Sequence, residues 1–168
     1  MIHIRQAQNG DGKGIIKCFN EGLRRSAYKY TGSNRYQNRR DVVDIDAMFQ
    51  KNKKGAFGFV AVDGKEIVGV CIFLAKDSGR TRHRGEVSWG VHPDYFKRKI
   101  GTRLLKAVLT EASKRGFVRV EAESAKNNIP STKLARKLGF KLEGIKKRGL
   151  LIDNGKYVDT LIFSKILT

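Results

Sequence analysis

One segment near the middle of the chain, a strand followed by a helix and a second strand, constrains the fold more than any other. Glu86–Val91 reads as a short strand, and Ile100–Arg115 repeats its apolar residues with the spacing of an amphipathic helix. Gly116 ends that helix, and Phe117–Ala122 reads as a strand again. A strand, a helix and a strand in this order are typical of an α/β fold.

The remaining segments fit around this unit as a single α/β domain over residues 1–168. A polar Asp63-Gly64 step between two apolar runs predicts a β-hairpin with a type I′ turn. Asp11 and Asp41 each precede an amphipathic segment and are candidate helix caps. This order predicts a mixed sheet with helices packed on its faces. The other predicted strands are Ile2–Arg5, Phe57–Val62, Ile67–Leu74, Phe140–Ile145 and Tyr157–Ile166, and a further helix spans Pro130–Leu138.

The charge balance is unusual, because 35 Lys and Arg stand against 16 Asp and Glu, a formal net charge of +19. Such a chain attracts polyanions such as nucleic acid, ribosomes, acidic proteins and phosphate-rich cofactors. The basic residues are spread along the whole chain and form no separate basic arm. A solvated basic surface without a specific partner is the alternative interpretation.

Cysteine usage and hydropathy exclude several classes of protein. Cys18 and Cys71 are far apart and in no metal-ligand spacing, so we expect neither a metal site nor a disulfide framework. The longest apolar stretches have the length of strands, so we expect no membrane span. The expected location is a reducing cytoplasm.

The turn before the central helix is a candidate anion site. Lys97, Arg98 and Lys99 precede the first backbone N–H groups of the helix, which lack partners and lie at the positive end of the helix dipole. Such a terminus suits a pyrophosphate, and Gly101 allows a ligand to approach the backbone closely. A turn with solvated lysines is the alternative.

Motifs in the second half of the chain resemble those of the GCN5-related N-acetyltransferases. The resemblance implies an α/β fold with a mixed, mostly antiparallel sheet, helices on both faces and a splayed central pair of strands. It also implies acetyl-CoA as co-substrate. The matching motifs are Val91-x-Pro93 with the basic loop, Ile100-Gly101-Thr102 and Leu104-Leu105, then Asn127-Asn128 with Leu134-x-x-Lys137-Leu138-Gly139-Phe140, and finally Gly155-Lys156-Tyr157-x-Asp159.

The resemblance also assigns a cofactor site. The backbone of Val91 would face the pantetheine arm, and Asn128 would hydrogen-bond that arm or the nearby backbone. The loop departs from the family pattern at Phe96, where the motif has Gln or Arg, and at Lys99, where it has its first glycine. A side chain at that glycine position could force a different loop path, and Lys99 could add a phosphate contact. The backbone N–H groups expected to hold the pyrophosphate are those of Lys97, Arg98, Lys99, Ile100, Gly101 and Thr102.

Transfer of an acetyl group to an amine requires a base that removes the amine proton. Glu86 matches the glutamate that some family members use as base, and we expect burial near the cleft to raise its pKa. The alternative is a strand-end glutamate paired with Arg82 or Arg84. Ser88 and His92 are weaker candidates for the base.

The leaving thiolate needs a proton donor, and the tyrosine that many family members use is replaced here by Ala135. A water molecule or Tyr157 is the candidate substitute. Cys71 lies in an apolar run and is expected in the core, so we expect direct attack in a ternary complex rather than an acyl-cysteine route.

The acceptor amine is expected to be a protein N-terminus, with a small amine as the other possibility. High positive charge argues against a polycationic acceptor such as spermidine and suits one carried by a ribosome, RNA or acidic protein. We expect Tyr28, Tyr30 and Tyr36 to wall the acceptor site, and the last strands to be plausible edges for a homodimer. The alternative function is a catalytically inactive module of the same fold that binds nucleic acid or another polyanion.

Overall fold

The computed structural model of the chain describes residues 1–24, 39–49, 55–76, 79–152 and 155–167. Its strands are β1 His3–Gln6, β2 Ala56–Asp63, β3 Glu66–Ala75, β4 Arg84–Val91, β5 Arg119–Ala125, β6 Lys141–Leu151 and β7 Tyr157–Ile166. Its helices are α1 Gly12–Arg24, α2 Arg39–Met48, α3 Ile100–Lys114 and α4 Ile129–Lys137, with short 3₁₀ turns at Gly79–Thr81 and Pro93–Tyr95. Strands and α-helices follow one another in the order predicted from the sequence.

The seven strands form one sheet in the order β1-β2-β3-β4-β5-β7-β6. Every neighbouring pair is antiparallel except β4 and β5, which are parallel and joined by the crossover helix α3. This arrangement confirms the predicted mixed, mostly antiparallel sheet.

Helices cover both faces of the sheet, as predicted. On the side that we call the α3/α4 face, Leu104, Leu105 and Val108 of α3 are fully buried in the larger core. On the opposite side, the α1/α2 face, Ile15 and Ile45 pack against the apolar side chains of β2 and β3. None of the described helices is long and apolar enough to cross a membrane.

The predicted hairpin forms, but its turn differs from the prediction. Asp63 pairs with Glu66, so Gly64 and Lys65 are the two loop residues. Of these two, only Gly64 has a positive φ, of 60°. A positive φ at the first loop position alone is the pattern of a type II′ turn rather than type I′.

Two element boundaries also differ from the sequence prediction. The helix α2 begins at Arg39, so Asp41 lies in its first turn and is not its cap. Strand β6 continues past Ile145 to Leu151, with register shifts and a positive φ of 51° at Arg148. These irregularities break the alternation of apolar and polar residues, which is why the sequence pattern ended too early.

The parallel pair is short. β4 and β5 pair only from Arg84 opposite Arg119 to Glu86 opposite Glu121, and beyond this point the two strands diverge, which confirms the splayed pair. The Glu121 carboxylate accepts hydrogen bonds from Arg84 Nη1 at 2.9 Å and Arg119 Nε at 2.7 Å. Arg119 also binds both carboxylate oxygens of Glu143. This network joins β4, β5 and β6 where strand pairing stops.

The network predicts a loss of stability in acid. Hydrogen bonds from Arg119, and then from Ser164, lower the pKa of Glu143 to about 2, against about 4.3 in an unfolded chain. A lowered carboxyl pKa contributes stability above the unfolded value, and this contribution is lost as the pH falls toward the folded value. We expect the urea midpoint of unfolding to fall between about pH 4.5 and 2, and the variants Arg119→Gln and Glu143→Gln to show a flatter dependence. Identical pH profiles for the three proteins would contradict this role.

Candidate functional site

Beyond Glu86, strand β4 has a strand partner on one side only. Val87 to Val91 pair with β3, while the edge toward β5 makes no ladder pairing among the described residues. The free N–H and C=O groups of such an edge can pair with an extended ligand. Val91 lies at the open end of this edge, and α1 passes nearby, since a β-carbon at Gly22 would lie 3.5 Å from the Val91 carbonyl oxygen.

The loop that follows keeps a glycine-like backbone without glycines. Lys97 and Lys99 have φ angles of 62° and 59°, both in the left-handed region. Lys99 is the N-cap residue of α3 and makes no side-chain capping bond. Lys99 thus adopts a backbone conformation that glycine adopts more readily than lysine. Left-handed residues before a helix turn successive N–H groups toward one concavity, which suits an anion.

Contacts on one side anchor the loop. The Tyr95 hydroxyl donates a hydrogen bond of 3.1 Å to Asp63 in the hairpin, and this bond is the largest cause of the raised pKa of Tyr95. The guanidinium of Arg98 stacks 4.9 Å from the centre of the Tyr95 ring. Arg98 therefore belongs to the anchor as well as to the predicted cofactor site.

The other two basic residues of the loop are available to a ligand. The side chains of Lys97 and Lys99 are exposed, and no described carboxylate lies within salt-bridge distance of either. The neighbouring Phe96 is 57% exposed, so the residue that replaces the family's Gln or Arg makes no core contact. The loop thus presents backbone donors with two uncommitted ammonium groups beside them.

Asn128 forms the predicted bond to the nearby backbone, and Gly101 has a packing role that the sequence did not reveal. The Asn128 side-chain oxygen accepts a hydrogen bond from the Ser131 backbone and caps α4, so its predicted bond to a ligand would use its amide N–H groups. A β-carbon at Gly101 would lie 3.2 Å from Leu134 Cδ2. Gly101 therefore allows α3 and α4 to approach closely, in addition to any approach by a ligand.

Glu86 lies at the apex of the splay, but it is not buried as expected. Its side chain is 55% exposed and forms a 2.6 Å ion pair with Lys76, rather than with Arg82 or Arg84. The side chain points to the α1/α2 face, beside the exposed Leu74 of β3. The expected burial of Glu86 is therefore wrong.

Tyr157 lies away from Glu86. It is 60% exposed and begins β7, seven residues before Ser164, the β7 residue opposite Glu121. At about 3.3 Å per residue, this separation is about 23 Å along the strand. Alternation along β7 also turns Tyr157 toward the α3/α4 face, opposite to Glu86. The structure does not bring the two predicted catalytic side chains together.

The weaker catalytic candidates occupy different environments. Ser88 is exposed two residues beyond Glu86 on the same face, whereas the His92 Nδ1 accepts a hydrogen bond from the Asp94 backbone and caps a 3₁₀ turn. Cys18 and Cys71 are buried, and burial raises the pKa of both thiols, that of Cys18 to about 12. Within the described ranges, no group of three His, Cys, Asp or Glu side chains could hold a metal ion.

Glu123 is a residue of the cleft that sequence reasoning missed. It lies on β5 beyond the last pair with β4, where its carboxylate accepts hydrogen bonds from the Thr160 hydroxyl and from Lys146. The signal was present, because Arg119, Glu121 and Glu123 alternate with small or apolar residues and so share one face of the strand.

Replacement of Lys99 tests the left-handed loop. A left-handed lysine costs roughly 1–2 kcal/mol, and glycine removes this cost while adding about 0.5–1 kcal/mol of unfolded-state entropy. We therefore expect Lys99→Gly to raise the free energy of unfolding by up to about 1.5 kcal/mol, and Lys99→Val to lower it, because a β-branched residue rarely adopts this conformation.

The matched control is Lys106→Gly in the middle of α3, where glycine is expected to cost about 1 kcal/mol. Urea denaturation of the four proteins gives the comparison. A loss at position 99 as large as the loss at position 106 would show that the loop is not left-handed in solution.

Comparisons with known proteins agree with this geometry. The model of the acetyltransferase (GNAT) family matches residues 20–140. The uncharacterized N-acetyltransferase YoaA of Bacillus subtilis (strain 168) is 24% identical over 96% of this chain and 90% of its own length.

Solved structures share the fold at low identity. YncA from Salmonella typhimurium, whose structure holds its cofactor acetyl-CoA, is 21% identical, with a TM-score of 0.85 over 99% of this chain and 94% of its own. The ribosomal-protein-alanine N-acetyltransferase of Brucella melitensis is 23% identical, with a TM-score of 0.84 over 98% of this chain and 99% of its own. With the family match over most of its length, the chain belongs to the GNAT family of acetyltransferases.

Proposed function

We propose that this protein transfers the acetyl group of acetyl-CoA to the α-amine of a protein N-terminus by direct attack. The observation that carries the proposal is the left-handed loop at the head of α3, next to the open edge of β4. The loop suits a pyrophosphate, and the open strand edge suits an extended amide chain. Acetyl-CoA contains both groups.

The residues present fit acetyl-CoA. The backbone N–H groups from Lys97 to Thr102 would hold the pyrophosphate, and the ammonium groups of Lys97 and Lys99 would neutralise its charge. The edge of β4 up to Val91 would pair with the pantetheine arm, and Asn128 would donate to that arm. When bound, acetyl-CoA supplies a thioester whose acyl carbon an amine can attack. YncA, which shares the fold, binds the same cofactor.

Glu86 is the proposed base. Its carboxylate lies at the closed end of the splay, in contact with water, and can take the amine proton through a water molecule. Lys76 holds one carboxylate oxygen at 2.6 Å, which fixes the direction of the group. The acid role of Tyr157 finds no support in its position, and we propose that water protonates the leaving thiolate.

An exposed base favours an acceptor that loses its proton easily. α-Amino groups have pKa values near 7.7–8.0, whereas lysine side chains have values near 10.4. At neutral pH the neutral fraction of an α-amine is therefore several hundred times larger, by about 2.5 pKa units. One GNAT-fold structure belongs to a ribosomal-protein-alanine N-acetyltransferase, and the charge of +19 would repel polyamines.

Thermal unfolding with and without acetyl-CoA tests the cofactor site. At about 100 times its dissociation constant, a ligand adds about 2.7 kcal/mol to the free energy of unfolding, so we expect a clear rise in Tm. The variant Lys97→Gln/Lys99→Gln should bind acetyl-CoA about tenfold more weakly, because it loses two solvent-exposed ion pairs worth up to about 1 kcal/mol each. The control double variant, Lys13→Gln/Lys141→Gln, removes the same charge from exposed positions outside the loop and should bind normally.

AMP and pyrophosphate serve as ligand controls in the same titration. Equal Tm shifts with all three compounds, or equal losses of acetyl-CoA affinity in both double variants, would show that the loop binds anions in general. That result would favour the alternative of an inactive module that binds polyanions.

A CoA-release assay with an acceptor panel tests the reaction. We expect turnover with peptides that have a free N-terminus, little with the same peptides N-terminally blocked but containing lysine, and little with spermidine. Glu86→Gln should lower kcat by roughly 10²–10⁴-fold, the usual contribution of a general base, and Tyr157→Phe by less than about threefold, since the proposed mechanism gives it no step.

The matched control for Glu86 is Glu66→Gln, because Glu66 is also an exposed glutamate paired with a lysine, at 2.8 Å. Full activity of Glu86→Gln would remove Glu86 from the mechanism. Preferred turnover of blocked, lysine-containing peptides or of small amines would change the acceptor class without removing the cofactor site.

A further inference from the structure

The outward sides of α3 and α4 form a surface of one charge sign. Of the ten exposed residues of these two helices, six are basic and none is acidic. No acidic residue stands in the first turn of either helix. The exposed residues are Arg103, Lys106, Thr110, Ser113, Lys114, Ile129, Pro130, Lys133, Arg136 and Lys137, and we call this surface the basic helix face.

Helical geometry makes the surface continuous. Arg103, Lys106 and Lys114 follow one another at spacings of three and eight residues, so they share one side of α3. At 1.5 Å per residue, this row is about 16 Å long. α4 lies beside α3 on the same sheet face, because Gly101 and Leu134 are in close contact.

The charge of this surface is not neutralised within the described part of the chain. No carboxylate there forms a salt bridge with Lys106, Lys114, Lys133 or Lys137. The one acid of α3, Glu111, is bound to Arg115 at 2.7 Å.

The acids of β5 lie on the other face of the sheet, and Asp159 of β7, on the helix side, is paired with Lys147 at 3.1 Å. Glu121 and Glu123 of β5 alternate with buried residues that face α3, and both are paired with Arg or Lys. The fold therefore separates charges that are mixed along the sequence.

We propose that the basic helix face binds the phosphate backbone of a nucleic-acid duplex without reading its sequence. Lysines and arginines that neutralise phosphates supply most of the affinity of such binding. The two helices expose no aromatic residue on which an unpaired base could stack. Their one large exposed apolar side chain, Ile129, offers little to the core of a protein interface or to a membrane-surface helix.

Fluorescence anisotropy with a labelled 20-base-pair duplex, as DNA and as RNA, tests the proposal between 50 and 200 mM salt. The variant Lys114→Gln/Lys137→Gln removes one charge from the last turn of each helix and leaves the residues of the cofactor loop unchanged. If each lysine neutralises one phosphate, the slope of log K against log salt should fall by about 2, and affinity at 0.1 M salt by roughly 60-fold. The control double variant should bind nearly as tightly as the parent.

Several outcomes would overturn the proposal. These are no binding of either duplex at 50 mM salt, equal losses in both double variants, or a preference for single strands. Binding to vesicles with 30% phosphatidylserine, with no binding to duplex, would also overturn it. The Tm rise with acetyl-CoA should be the same in all three proteins, so failure of the proposed enzyme function and failure of the duplex site remain distinguishable.

Discussion

The short parallel ladder between β4 and β5 is the constraint on which the rest of the structure depends. Only three residue pairs join the strands, and the His83 carbonyl adds bonds from the Val118 and Arg119 amides at the entrance to β5. Arg84 and Arg119 then hold Glu121 at the point of divergence. The network is therefore centred on Glu121, the last residue of β5 that pairs with β4. The open edge of β4, and with it the candidate cofactor cleft, follows from that limit.

The loop at the N-terminus of α3 has a strained backbone at two residues that carry a positive charge. Two lysines in the left-handed region cost roughly 1–2 kcal/mol each, where glycine would cost less. The hydrogen bond from Tyr95 to Asp63 and the stacking of Arg98 on Tyr95 stabilise this strained path from one side. The other side of the loop is left with backbone donors and two ammonium groups. Charge-assisted hydrogen bonds to an anion with several negative oxygens would offset the free-energy cost of this strain.

The sequence predicted what depends on local patterns and missed what depends on neighbours. Apolar periodicity was enough for the order of strands and helices, and the loop motif together with the motif from Asn127 to Phe140 was enough for the family. The exposure of Glu86 was not predictable, because it depends on which residues of β3 and of the α1/α2 face lie beside it. The position of Tyr157 depends on pairing between β5, β6 and β7. The left-handed conformation of Lys97 and Lys99 was not predictable, because it contradicts the backbone preference of lysine. The predicted acceptor-site residues Tyr28, Tyr30 and Tyr36 lie outside the described residues.

Two periodicities explain how a chain with scattered charges acquires a charged side. Along β5, a period of two places Arg119, Glu121 and Glu123 on the face opposite to α3, where they neutralise one another and their neighbours on β4 and β6. Along α3 and α4, a period of 3.6 turns apolar residues to the sheet and lysines and arginines to water. The carboxylates of β5 thus form ion pairs on the sheet, while the exposed basic side chains of α3 and α4 face solvent. Part of the net charge of +19 is therefore concentrated on the basic helix face, and we expect this side to attract an approaching polyanion.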